Sequence, residues 1–148
     1  MIVAFCGHST YVSNLKDEKK MLQILEQRIG NKPTEFFLGE YGNFDRFAYI
    51  CAKKYKEKHP EVKLIFITPY LAEKSSSIRN KERYDLVIYP QLEHVPPRYA
   101  ISHRNRWIVE QADIVIAYIA HEYGGAYAMY RYAKRKEKEI YNLATKNQ

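Results

Sequence analysis

Apolar and polar positions follow two periods along the chain, one typical of buried strands and one of amphipathic helices. Short continuous apolar runs rich in β-branched residues predict strands that are buried on both faces. The predicted strands are 2–6, 34–38, 62–68, 114–119 and 139–143. Between them, apolar residues recur every three or four positions, which predicts amphipathic helices. The predicted helices are 15–29, 98–112, 125–137 and one whose apolar stripe runs from Phe44 to Tyr55, ended by His59-Pro60.

Strands that alternate with helices predict an α/β fold in which a mainly parallel sheet lies between two layers of helices, with right-handed crossovers. The 148 residues suit one domain, and the sequence contains neither an internal repeat nor a domain-length linker. We therefore expect residues 1–148 to form a single three-layer sandwich. The segment 70–97, with a polar run at 73–77 and three prolines near its end, predicts a long excursion that carries an extra strand or helical turn.

Three glycine-bearing loops each lie between a predicted strand and a predicted helix, at 6–10, 39–45 and 121–126. Because the carboxyl ends of parallel strands meet at one edge of a sheet, we expect all three loops at that edge, where open α/β sheets bind ligands. Glycine permits a close approach to the free N–H groups of a helix N-terminus, which favour phosphate. Gly124-Gly125 is the best candidate for such a position, unless the glycines only turn the chain.

The predicted ligand-binding residues lie on these loops, in the first turn of the helix 125–137 and on the helix that begins near residue 98. They are Gly7, His8, Ser9, Gly39, Tyr41, Gly42, Asp45, Arg104, Asn105, Gly124, Gly125 and Tyr127. Asp45 either caps its helix, with Asn43 as the alternative cap, or accepts hydrogen bonds from a ribose. Asn105, on an apolar helical face, requires a partner from a neighbouring loop or from the ligand. Arg104 either holds a phosphate through two N–H groups or is exposed to solvent.

The formal net charge of +7 does not by itself indicate a partner. Many of the cations lie in 53–58 and 134–138, at predicted helix C-termini, where they complement the helix dipole. A positive field attracts a small phosphorylated molecule as well as DNA. Cys6 and Cys51 are the two cysteines, so we expect reduced thiols and no metal site. The chain starts directly in a predicted strand and lacks a long apolar run, so we expect a cytoplasmic protein with no membrane partner.

The motifs, in their order along the chain, resemble those of small single-domain SLOG-type proteins, which are related to the LOG phosphoribohydrolases and to DNA-processing Rossmann-like domains. The segments that carry the resemblance are 5–8, 39–45, 89–90, 96–98, 104–109, 112–118 and 124–127. The resemblance implies a Rossmann-like fold that binds nucleotides or nucleotide-derived ligands such as ADP-ribose species, without a further cofactor. In some members such a domain is a sensor in prokaryotic defence against phage.

The chain departs from that family pattern where catalysis is concerned. The enzymatic relatives carry a glutamate on the helix after the glycine loop, whereas this chain has no carboxylate between Gly124 and Lys136 and has Arg131 instead. Glu40 and Asn43 also stand where the pattern has glycines. Side chains able to act as a nucleophile or base in glycosidic cleavage remain on the loops. They are Glu40 and Glu122, together with His8 and His121, two loop histidines that could meet in space.

We therefore expect a sensor or sequestering protein that binds a nucleotide-derived small molecule at the carboxyl edge of the sheet. The alternative is an N-glycosidic hydrolase or transferase that acts on nucleoside monophosphates or NAD-derived substrates. A third hypothesis, a DNA-binding accessory protein, rests only on net charge and distant kinship. Several of the fourteen tyrosines lie within 123–132, where their rings suit either packing on the sheet or self-association. On the second alternative we expect a homo-oligomer.

Overall fold

The computed structural model describes residues 1–71 and 82–145, and in them the predicted strands and helices are present with ends shifted by at most two residues. The strands are β1 (Ile2–Gly7), β2 (Glu35–Leu38), β3 (Lys63–Ile67), β4 (Leu86–Ile88), β5 (Ile114–Tyr118) and β6 (Glu139–Asn142). The helices are α1 (Leu15–Arg28), α2 (Asn43–Lys58), α3 (Ala100–Gln111) and α4 (Gly125–Arg135). A single 3₁₀ turn, Pro97–Tyr99, leads into α3.

These six strands form one sheet in the order β4-β3-β2-β1-β5-β6, and every neighbouring pair is parallel. The chain builds outward from β1 to β4, then returns to place β5 on the other side of β1. Val3 accordingly pairs with Phe36 of β2 on one side and with Ile114 of β5 on the other. The order of strands therefore reverses between β1 and β5, and a crevice opens at such a point outside the carboxyl ends of the strands.

The segment 70–97 contributes the extra strand that its apolar run predicts, because β4 pairs with β3 at one edge of the sheet. Residues 72–81, which include the polar run 73–77, lie outside the described residues. The predicted excursion is thus confirmed only for its second half. No helix among the described residues is long and apolar enough to cross a membrane.

The two faces of the sheet carry separate cores. One core packs α1 and α2 against alternate strand residues such as Phe36 and Phe66, and the predicted α2 stripe is buried throughout. The other packs α3 and α4 against the intervening residues, among them Phe37 and Val115. This division is the three-layer α/β sandwich expected from the alternating pattern. It leaves the loops after β1, β2 and β5 together at one edge.

Candidate functional site

A cavity of about 360 Å³ lies at the carboxyl ends of β1, β2 and β5. Its volume falls in the lower part of the range for small-molecule sites. All three glycine-bearing loops contribute to it, which confirms that they meet at one edge. Most of the predicted binding residues line it: Gly7, His8, Ser9, Gly39, Tyr41, Asp45, Arg104, Asn105, Gly124 and Gly125.

Gly42 and Tyr127 do not line the cavity. Gly42 lies behind it at the N-cap of α2, where φ is 107° and a Cβ atom would come within 2.7 Å of the Ser9 Cα atom. Tyr127 lines a separate groove on the other side of α4, together with Glu122. The sequence placed Gly42 on the correct loop and Tyr127 on the correct helix, but it did not determine which side of the loop or of the helix faces the crevice.

Close packing explains two of the cavity glycines. A Cβ atom on Gly7 would lie 2.2 Å from the Phe44 ring, and one on Gly39 would lie 2.8 Å from the Asp45 carboxylate. Both contacts are closer than real Cβ atoms tolerate. Glycine at these positions therefore lets α2 approach the strand ends, whether or not a ligand is bound.

Gly125 has no such explanation. Its φ does not require glycine, and a Cβ atom there would have no heavy atom within 4 Å. Its neighbour Gly124 has a φ of 92°, which accounts for that glycine by backbone conformation. The open space beside Gly125 is part of the cavity, at the N-terminus of α4.

Arg104 is buried, with 3% of its surface exposed, so the expectation of solvent exposure is wrong. Its Nη1 donates to the carbonyl oxygens of Gly39 at 3.1 Å and Ile67 at 2.9 Å, at the ends of β2 and β3. Its Nε and Nη2 donate to the Asn105 side-chain oxygen. The neighbouring Arg104, rather than a loop, thus satisfies that oxygen. The guanidinium holds α3 against two strand ends and forms part of the cavity wall.

Asp45 does not cap α2, and neither does Asn43, because the N-cap is Gly42 and makes no side-chain capping bond. The Asp45 carboxylate instead accepts a hydrogen bond from the Tyr41 backbone N–H at 2.8 Å. Burial raises the pKa of Asp45 from its ordinary 3.8 to about 6, although the Arg104 charge and the Tyr41 N–H act in the opposite direction. The cavity wall therefore contains a carboxyl group that exchanges a proton near neutral pH.

Neither glutamate predicted as a candidate catalyst lines the cavity. Glu40 pairs with Arg83 at 2.9 Å, and its φ of 68° is the left-handed conformation in which the family pattern has a glycine. Glu122 is exposed and lines the groove beyond α4. Among the described residues, Asp45 is the carboxylate that lines the cavity, as predicted for a binding residue, although the sequence did not mark it as a candidate catalyst.

His8 and His121 meet, as the sequence analysis suggested, and form an aromatic stack with Tyr123. The ring centroids of His8 and His121 are 3.5 Å apart, and those of His121 and Tyr123 are 3.8 Å apart. His8 Nε2 accepts hydrogen bonds from the backbone N–H groups of Ala120 and His121, and burial lowers its pKa, so His8 is a neutral acceptor. Among the described residues, the buried Nδ1 of His121 has no hydrogen-bond partner.

Cys6 lies in the cavity wall and is not a reactive thiol. It is buried, and its sulfur contacts the Ala126 carbonyl oxygen at 3.0 Å. Burial raises the pKa of the thiol far above its ordinary value, so the nucleophilic thiolate does not form near neutral pH. The reduced state expected from the sequence agrees with its position.

The raised pKa of Asp45 predicts a pH-dependent contribution to stability. The folded protein binds more protons than the unfolded chain between pH 3.8 and about 6, so this contribution is present at low pH and is lost as pH rises. Relative to Asp45→Asn, the wild type should lose about 2 kcal/mol of unfolding free energy between pH 4 and pH 7.5. Urea unfolding of both proteins at both pH values measures this difference. A difference that does not change with pH would contradict the raised pKa.

Comparison with known proteins establishes the fold. No family model matches the chain, and no curated protein matches it in sequence. DNA processing protein A from Streptococcus pneumoniae superposes with a TM-score of 0.64 at 18% identity, over 93% of this chain and 48% of that one. DNA processing protein A from Helicobacter pylori, whose structure was solved to explain its single-stranded DNA binding mode, gives 0.64 at 16% identity, over 95% of this chain and 63% of that one.

A third structure, that of the protein TM1055, gives a TM-score of 0.57 at 13% identity and covers 94% of this chain and 71% of that one. The chain thus spans about half the length of the Streptococcus pneumoniae protein and just under two thirds of the Helicobacter pylori protein. The three superpositions confirm the Rossmann-like fold that the resemblance to SLOG-type proteins implies. Since one fold hosts many functions, the function has to be argued from the site.

Proposed function

We propose that this chain binds a nucleotide-derived small molecule, a nucleotide or an ADP-ribose-type compound, in the cavity at the carboxyl edge of the sheet. Gly125 carries the proposal, because neither its φ nor any packing contact requires glycine there. Glycine stabilises a helix less than alanine does, so its presence needs a reason outside the fold. An anion that approaches the backbone at this point provides that reason.

The N-terminus of α4 suits a phosphate group. The first helical hydrogen bond runs from the Ala128 N–H to the Gly124 carbonyl, so the three preceding N–H groups have no partner within the helix. Gly124 supplies no side-chain cap, and the first turn contains no acidic residue. No side chain of that turn therefore offsets the positive end of the helix dipole, and a phosphate in the cavity would receive both hydrogen bonds and charge compensation.

The aromatic stack suits the base of such a ligand. Tyr123 is 70% exposed and lies next to the glycine pair, at the rim of the cavity. One face of its ring is covered by His121, which in turn stacks on His8. A planar base stacked on an aromatic side chain gains about 1–3 kcal/mol. The site therefore offers a support for a base beside a support for a phosphate, without a metal or a further cofactor.

Mass spectrometry of small molecules released from natively purified protein tests this proposal directly. We expect a phosphorylated, nucleotide-derived compound in stoichiometric amount, and calorimetry with that compound should then give saturable binding. A panel of nucleoside monophosphates, NAD and ADP-ribose serves as a second test where the site is empty after purification. Protein that releases no such compound and binds none of the panel would contradict the proposal.

A second candidate is an N-glycosidic hydrolase or transferase that acts on nucleoside monophosphates or NAD-derived substrates. The observation that favours it is the position of Asp45, a carboxyl group in the cavity wall with a pKa raised to about 6. Such a group can donate a proton to a departing base or accept one from water. Asp45 is therefore a better candidate for this chemistry than Glu40 or Glu122.

We expect binding without turnover. Arg131 stands on α4 where an enzyme of the related class would have a carboxylate, and an arginine there favours holding an anion over moving a proton. Incubation with nucleoside monophosphates, NAD and ADP-ribose, followed by chromatography, should therefore show no free base. Catalytic release of base that disappears in Asp45→Asn, Glu40→Gln or Glu122→Gln would establish the enzyme and refute the binding-only function.

A further inference from the structure

A second groove of about 420 Å³ lies between α3 and α4 and adjoins the cavity. The residues that line both the groove and the cavity are Ile101, Asn105, Gly125 and Met129. One end of the groove therefore lies beside Gly125, where the proposed phosphate would be bound. A ligand that fills the cavity can extend along α4 into this groove without crossing another element.

Three arginines line the groove: Arg106 from α3, and Arg131 and Arg135 from α4. All three are exposed, and none has a carboxylate within 4 Å in the part of the chain that the structure describes. The guanidinium carbons of Arg106 and Arg135 lie 5.6 and 5.4 Å from the centre of the Tyr132 ring. The acidic neighbour, Glu110, accepts a hydrogen bond from the Tyr132 hydroxyl.

The basic cluster on α2 differs from these arginines. There Lys54 pairs with Glu18 at 2.9 Å and Lys56 pairs with Asp85 at 2.6 Å, so opposite charges of this chain offset the cations. The groove brings the guanidinium groups of Arg106 and Arg135 together over one tyrosine ring without such pairs among the described residues, and Arg131 lies at its edge. Like charges in one concave surface repel each other, and an external anion would relieve that repulsion.

We propose that this groove binds a second phosphate group of the ligand, one that a nucleoside separates from the phosphate at Gly125. The inference rests on the proposed nucleotide-binding function. Arg131 and Arg135 follow Gly125 by six and ten residues, so their Cα atoms lie about 9 and 15 Å further along the helix axis. Their side chains reach back toward the N-terminus by several ångströms, which places the Arg131 guanidinium about one turn beyond it and the Arg135 guanidinium about two turns beyond it.

That separation selects the ligand class. The two phosphates of a diphosphate share an oxygen atom, so both would stay close to the helix N-terminus. Two phosphates on either side of a nucleoside reach from the N-terminus to the arginines, whose planar guanidinium groups bind phosphate oxygens in pairs. The ligand is accordingly a dinucleotide with a terminal phosphate. A longer 5′-phosphorylated strand offers the same chemistry and is distinguished below.

Calorimetry with AMP and with 5′-phosphorylated diadenylate tests the second phosphate position. We expect the wild type to bind the dinucleotide at least about tenfold more tightly than AMP. Arg106→Gln with Arg135→Gln should remove that advantage and change AMP affinity less than about twofold. The matched control, Lys53→Gln with Lys58→Gln, removes the same charge from exposed positions on α2, across the sheet, and should leave both affinities unchanged.

Each failure has a different meaning. If the wild type binds neither compound, the proposed function and this inference are both wrong. If it binds both equally, or if the control pair weakens the dinucleotide as much as the arginine pair does, only the second phosphate position is wrong. A 5′-phosphorylated decamer should bind no better than the dinucleotide. A decamer that binds about tenfold more tightly would replace the small molecule with a nucleic acid strand.

Discussion

Gly125→Val is expected to weaken AMP binding about a hundredfold and to leave the thermal midpoint nearly unchanged. Valine fits the fold because the φ of Gly125 is ordinary and no heavy atom lies within 4 Å of the position of a Cβ atom. Its methyl groups would instead occupy the space beside the free N–H groups of α4. Hydrogen bonds to a charged phosphate are each worth about 1.5–3 kcal/mol, so the loss of one or two accounts for the effect. Calorimetry and thermal unfolding measure the two quantities.

Gly7 provides the matched contrast. A Cβ atom there would lie 2.2 Å from the Phe44 ring, so Gly7→Ala forces a core aromatic side chain to move. We expect Gly7→Ala to lower the unfolding free energy by about 1–3 kcal/mol, whereas Gly125→Ala costs little stability and weakens binding less than valine does. If AMP affinity in a folded Gly125→Val protein equals that of the wild type, the phosphate lies elsewhere.

The layers of the fold could be predicted because each depends on a local period. Strand β3 ends at Ile67, one residue before the end of the predicted strand 62–68, and the α2 stripe from Phe44 to Tyr55 is buried as its spacing required. Parallel pairing then follows from the alternation of strands with helices. The position of the cavity follows as well, because the three glycine loops continue strands whose carboxyl ends share an edge.

The side-chain chemistry of the cavity could not be predicted in the same way. Arg104 donates hydrogen bonds to the carbonyl oxygens of Gly39 and Ile67, which precede it by 65 and 37 residues. The local spacing of apolar residues cannot predict contacts between positions so far apart. The raised pKa of Asp45 depends on burial that exists only after α2 and α3 have packed beside the strand ends. Gly42, rather than Asn43, caps α2 because the chain turns there with a φ of 107° against Ser9, a loop contact absent from the sequence pattern.

Arg104→Met should lower the unfolding free energy at pH 7.5 by about 3–5 kcal/mol, the range typical of a buried charge pair from which one partner is removed. Methionine retains much of the apolar stem, so the change isolates the guanidinium. The carbonyl oxygens of Gly39 and Ile67 would lose a donor, and the Asp45 carboxylate would lose the positive charge that lowers its pKa. Urea unfolding with circular dichroism measures the loss. Arg106→Met, an exposed change two residues along the same helix, should stay within about 0.5 kcal/mol of the wild type.

A double variant separates the two parts of that loss. Adding Asp45→Asn to Arg104→Met removes the uncompensated carboxylate, so part of the lost stability should return, while the part due to the two carbonyl oxygens should remain. Lowering the pH to 5 should likewise restore part of the stability that Arg104→Met loses, because Asp45 is then mostly protonated. If Asp45→Asn and Arg104→Met instead give strictly additive losses at pH 7.5, the two side chains are not coupled. Arg104 would then support the site through the strand ends alone.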